Sequence, residues 1–331
     1  MAHMRSVVNI DQSPQKGDLP IGLADWRFSG SHTRYCSTIK RSPRVKMTMV
    51  DADMRSVVDG LMPLLRQFPR SEYGIAVGGA HAKGTADTES DLDIYVFSGS
   101  ILSNAERTRL TNRFSPGIAR TVSWGTDSPF VQAGTDFFHD HLKVECWLRC
   151  SDHIINTIAE CEEGIIKRDF VTWTTTGFYN HCLLSDLKAM IPVDDPSGIL
   201  AGWKRRIEVY PPKLRTAIIE THLQAARFWP ANFHYTSAVK RKDVIYTSGI
   251  VQQVVHNLVQ VLFAVNEVYF TGDKKLSYAL GRLSKLPSCF VERIEQLLMP
   301  EQPMSVETLE DQQIQLQRLL EEVDAIVRDK A

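Results

Sequence analysis

The stretch "VGGAHAKGTADTESDLDIYV", Val77 to Val96, decides the fold. It sets Gly78-Gly79 after the apolar run "YGIAV". Two acids, Asp91 and Asp93, then open a second apolar run, "DLDIYVF". Paired glycines after a strand let the backbone turn tightly and let a phosphate approach the amide N–H groups. Familiar glycine loops do not fit. A P-loop needs Gly-Lys-Ser/Thr, whereas the order here is Lys83-Gly84-Thr85. Dinucleotide and kinase fingerprints need alternate glycines, and Gly78 and Gly79 are adjacent. The turn has to be read with the acids that follow it.

Residues two apart on a strand point to the same face. Asp91 and Asp93 therefore share one face, and Leu92, Ile94 and Val96 share the other, which leaves the carboxylates on the open side. The same parity holds in "LKVECWLR": Lys143, Glu145 and Trp147 oppose Val144, Cys146 and Leu148. If the two strands are neighbours, Glu145 joins the aspartates. A solvated strand end is the plain alternative for the aspartates, and a cross-strand partner of Lys143 is the plain alternative for Glu145. Asp136 and Asp140 are rival third acids, each nearer a turn. Three clustered carboxylates repel one another and need a cation, and oxygen-only ligands suit Mg²⁺ or Mn²⁺. Two such ions about 4 Å apart can hold the attacking and leaving oxygens of a displacement at phosphorus. Lys83 adds a positive charge near the turn. Ser90 is a candidate for a nucleotide contact or for a hydrogen bond within the loop.

Gly78-Gly79, a spacer, then Asp91-Leu92-Asp93-Ile94 resembles the signature of the DNA-polymerase-β-type nucleotidyltransferase superfamily. The loop "AKGTADTESDLD" is similar to that of bacterial small-molecule members, the antibiotic-type nucleotidyltransferases. One departure is Ala80, where many relatives carry a serine. The resemblance implies an enzyme that moves AMP from ATP onto a hydroxyl of a small molecule and releases pyrophosphate. Asp91, Asp93 and Glu145 would be catalytic and would hold two Mg²⁺ ions. Gly78, Gly79, Lys83 and Ser90 would meet the nucleotide. Lys274, in "YFTGDKKLSYAL", would join them from the helical half. A protein side chain or an RNA end as acceptor, or a nucleotide-binding regulator without turnover, are the competing readings. The resemblance also allows a homodimer.

The rest of the 331 residues supports a two-part α+β plan: a small mixed-sheet domain at 47–165, followed by an all-helical domain at 166–331. Residues 1–46 begin with "MAHM", which resembles a tag remnant, and carry eight Lys/Arg against three Asp. They are expected to form a poorly ordered arm. Helical patterns cover 175–190, 197–208, 212–228, 244–270, 273–285, 289–298 and 305–328. In the longest, Gln253, His256, Asn257, Gln260 and Glu267 make a polar stripe that would either line an acceptor pocket or bond between helices. That stripe also argues against a membrane span. The six cysteines form no Cys-x-x-Cys pair, and no secretory signal is visible. A cytoplasmic protein with reduced thiols is expected. The net charge of −1 gives no overall attraction to nucleic acid or membrane.

Overall fold

A computed structural model describes residues 52–115, 121–125, 132–139, 141–171, 174–300 and 303–329. The expectations for residues 1–46 and for Asp140 lie outside these. Helix α1 (Ala52–Leu65) leads into β1 (Tyr73–Val77), the short α2 (Gly79–Lys83) and β2 (Leu92–Ser98). Helix α3 (Asn104–Phe114) starts at Ser103, which exchanges side-chain and backbone hydrogen bonds with Glu106 in a capping box. Strands β3 (Val122–Gly125), β4 (Ala133–His139) and β5 (Leu142–Cys150) follow. Strands β4 and β5 form a hairpin, with His141 in the left-handed region at φ 70°.

The chain then continues through α4 (Ser151–Glu162), the two-residue strands β6 (Arg168–Asp169) and β7 (Phe178–Tyr179), and α5 (Asn180–Ala189). Strand β8 (Ile191–Asp194) precedes α6 (Ile199–Arg206), α7 (Pro212–Arg227), α8 (Phe233–Lys240) and α9 (Val244–Val265). Helices α10 (Leu276–Leu280), α11 (Phe290–Leu298) and α12 (Val306–Arg328) complete the described residues.

The main sheet has the order β3-β4-β5-β2-β1-β8. Strand β2 runs parallel to β5 and antiparallel to β1, so the sheet is mixed. One face packs on α1: Ile75, Val77, Leu92, Ile94, Val96, Val144, Cys146 and Leu148 close on Val58, Leu61 and Leu65. Burying each such side chain contributes about 1.5–3 kcal/mol. The opposite face is only partly open. Ala76, Tyr95 and Phe97 lie under α4, α5 and α6, against Ile154, Leu183, Leu187, Leu200 and Trp203. The cover of α4, α5 and α6 therefore starts one pleat beyond Asp93, and over the acid-bearing end of β2 lies the short α2.

Helix α9 is the axis of the helical part. Its residues Ile250, Val254, Leu258, Val261 and Leu262 are buried among α7, α8, α11 and α12. It is long and apolar enough to cross a membrane, and 72% of its most apolar window is buried inside the fold. Its polar stripe is used between elements. His256 meets the Tyr179 hydroxyl, Gln260 meets His181, and Asn257 meets His222.

Three parts of the sequence reading shift. The edge strand β8 lies in a stretch whose Pro192 reads as a loop, yet proline is tolerated at a sheet edge. The expected helix 273–285 shrinks to α10, and α9 ends at Val265, because Glu267 and Lys275 adopt left-handed backbone at φ 54°. Helix α8 was not expected from its aromatic-rich sequence.

Candidate functional site

Gly78 and Gly79 are required by close approach. A Cβ on Gly78 would stand 2.3 Å from the Tyr95 ring, and one on Gly79 would stand 1.6 Å from Asp93 Oδ2. Gly79 also has φ +55°, where other residues are strained. The amide of Gly78 donates to the Asp93 carbonyl at 2.9 Å and continues the ladder into the turn. The turn thus carries the Asp93 carboxylate on its back.

Strand register then builds a row. Asp93 pairs with Glu145 on β5, and Glu145 pairs with Asp136 on β4. Asp136 is mid-strand rather than near a turn, so the acid that the sequence ranked as a rival stands directly opposite Glu145. Like charges placed opposite each other destabilise a sheet. The next row on the same face is aromatic: Tyr95, Trp147, Gly134 and Trp124 are register neighbours. Trp147 Nε1 donates to Asp93 Oδ1 and Trp124 Nε1 donates to Asp136 Oδ2, both at 3.1 Å. The two indoles meet edge to face at 5.3 Å.

The charge in this row is only partly compensated. Burial, with Asp91 and Glu145 close by, pushes the Asp93 carboxyl up to about 6, against the opposing Trp147 hydrogen bond. Burial also raises Asp136. Lys143 bonds Glu145 and reaches Asp91 Oδ2 at 3.4 Å, and these contacts raise its own pKa. Among the described residues no three Asp, Glu, His or Cys side chains converge as a ready metal cage. The donors still fit a hard cation. They are all carboxylate oxygens, and Mg²⁺ is commonly held by one or two carboxylates plus substrate phosphates.

The other expected contacts divide. Lys83 bonds Asp186 of α5 at 3.1 Å, and that carboxylate is the main cause of its raised pKa. The Ser90 hydroxyl donates to Asp87 Oδ1 at 2.9 Å, which is the loop-internal role. Lys274 is exposed and makes no hydrogen bond or ion pair among the described residues. Its neighbour Lys275 crosses to the loop instead, donating to Thr85 O at 2.7 Å and reaching Asp87 Oδ2 at 3.3 Å. The left-handed backbone of Lys275 turns the chain here, a feature that no sequence pattern signals. Asp273 accepts four hydrogen bonds from Thr175 and Thr176, which lower its pKa against the effect of burial. Gly84, Thr85, Asp273, Lys275 and Tyr278 line an open cleft beside this loop.

A model of a family described as a domain of unknown function (DUF4037) matches residues 179–275. That span runs from Tyr179 to Lys275 and does not include the acid row. No curated protein matches the chain. A nucleotidyltransferase-like protein from Exiguobacterium sibiricum 255-15, known from its crystal structure, is similar over 82% of this chain and 77% of that chain, with 10% identity and a TM-score of 0.39.

Proposed function

We propose that this chain is a nucleotidyltransferase. In this reading it moves a nucleoside monophosphate, AMP from ATP in the simplest case, onto a hydroxyl of a small molecule and releases pyrophosphate. The observation that carries the reading is the seating of Asp93 directly on the Gly78-Gly79 turn, with Glu145 and Asp136 in register beside it. A surface built for stability alone would not line up three acids on neighbouring strands and partly bury two of them.

The glycine turn would take the phosphates against its backbone, with no Cβ in the way. Glu145 would accept the proton of the acceptor hydroxyl as its oxygen bonds to the α-phosphorus and the bond to pyrophosphate breaks. Trp147 and Trp124 would hold Asp93 and Asp136 in place through their indole N–H groups. A divalent cation such as Mg²⁺ or Mn²⁺, held by Asp93 and its neighbours, would supply charge neutralisation at the phosphoryl oxygens.

The test is mass spectrometry of metabolite and antibiotic mixtures incubated with protein, ATP and Mg²⁺. The expected result is one product heavier by a nucleoside monophosphate, with matching pyrophosphate release. Asp93→Asn should lose that product while keeping its circular dichroism spectrum. Turnover retained by Asp93→Asn would overturn the assignment.

A further inference from the structure

Lys143 lies two residues before Glu145 on β5, so both side chains rise from the acid-bearing face. Its ammonium holds one oxygen of Glu145 and stands 3.4 Å from Asp91 Oδ2. Asp93 and Asp136 are treated differently. Their direct hydrogen-bond partners are the indoles of Trp147 and Trp124, and Lys83 and Lys143 act on them only through space. The four carboxylates therefore split into a pair bonded directly to an ammonium and a pair bonded to indoles.

An ammonium between two carboxylates fills the place that a shared metal ion would need. It offers no lone pair to a metal and repels one by its charge. The three carboxylates expected as metal ligands, Asp91, Asp93 and Glu145, taken as ionised with Lys143 charged, carry two negative charges, which one divalent ion would balance. Of the two cations on this face of β5, Lys143 is the one beside the acids, since Arg149 lies at the far end of the strand, over the Tyr95 ring.

We infer that Lys143 is a built-in counter-ion that takes the place of one metal, so that the site holds a single divalent cation on its Asp93 side instead of two. This rests on the nucleotidyltransferase reading and narrows it. The role of Lys143 is positional: it fixes Asp91 and Glu145, sets the number of ions, and acts on the chemistry only through the Glu145 carboxylate.

The experiment counts Mn²⁺ per protein–nucleotide complex by electron paramagnetic resonance, using a non-hydrolysable ATP analogue held below the protein concentration. The wild type should bind one Mn²⁺ and show no spin exchange. Lys143→Met should bind two, with an exchange-coupled spectrum, and Lys143→Arg should return to one. The side chain of Lys143 is half exposed, so these variants should fold, which thermal denaturation would check. Two Mn²⁺ ions in the wild type, or one in both wild type and Lys143→Met, would overturn the role of Lys143 and leave the nucleotidyltransferase reading standing. No bound Mn²⁺ in any of the proteins would overturn both.

Discussion

Gly79 and Asp93 share one small volume, and each limits the other. Gly79→Ala must move the Asp93 carboxylate and strain a left-handed residue, at a cost of about 1–2 kcal/mol from the backbone alone. Gly198 offers the control: it has φ +72° and nothing within 4 Å of a built Cβ. Chemical denaturation should therefore find Gly79→Ala less stable than Gly198→Ala, and only the former should lose pyrophosphate release. Asp93 itself burdens the fold. Its carboxyl is held above its ordinary value, so the folded chain binds the proton more readily than the unfolded one. Ionised Asp93 thus costs stability in full above about pH 6, and the cost fades as the pH falls from about 6 to about 4. Asp93→Asn should be more stable than the wild type at pH 7, by about 1–3 kcal/mol, while losing turnover. Equal stability of the two proteins at pH 7 and pH 4 would show that the carboxylate is not desolvated. At this scale the sequence was informative, because strand parity alone placed Asp91, Asp93 and Glu145 on one face. Asp136 was harder to place, because its strand bounds, and hence its position opposite Glu145, depend on pairing that a local pattern does not reveal.

Among the elements, α5, α7 and α9 pack through a polar seam within an apolar core. His181 and His222 are buried and His256 is half-buried around Tyr179, and Gln260 and Asn257 bond two of them. Burial pushes His181 down to about 3 and His256 down to about 4, and it lowers His222. Arg168 lies over the Tyr179 ring and opposes protonation of His256, whereas Asp273 favours it. These imidazoles are neutral in the fold, and the unfolded chain takes the proton first. Their stability is full above about pH 6.5 and is lost as the pH falls toward 4. At pH 5 each fully buried histidine costs about 2 kcal/mol relative to pH 8. Urea denaturation should show this loss in the wild type and a shallower slope in His181→Gln. An unchanged slope would mean that His181 is charged or solvated in the fold. The polar stripe of α9 was visible in the sequence, but its two possible uses were not separable there. Partners on α5 and α7 decide between them, and those residues lie far away along the chain.

In the whole molecule, the acid row and the helical part are tied by two side-chain crossings. Lys83 reaches Asp186 and Lys275 reaches Thr85 and Asp87, while within the helical part Asp273 holds the Thr175–Thr176 turn beside Lys275. Strand β8 adds a third link, since the sheet takes its last strand from beyond residue 165. The α+β plan was legible from the chain because helical periods cover most of the sequence from residue 175 onward. The links were not legible, because each is a contact of a single side chain over more than ninety residues. Lys275 is the most telling of them. Its pair with Asp87 is exposed, and such pairs add little to stability, so Lys275→Met should leave the unfolding midpoint where it is. Its bond to the Thr85 carbonyl, however, fixes the loop that leads from Gly84 to Asp91. Releasing that loop should raise the KM for the nucleotide several-fold with little change in kcat, because the acids themselves stay on their strands. Lys274→Met, one residue away and without a partner, should change neither constant. If Lys274→Met raised KM and Lys275→Met did not, the nucleotide would be met by Lys274, and the Lys275 crossing would be an incidental surface contact.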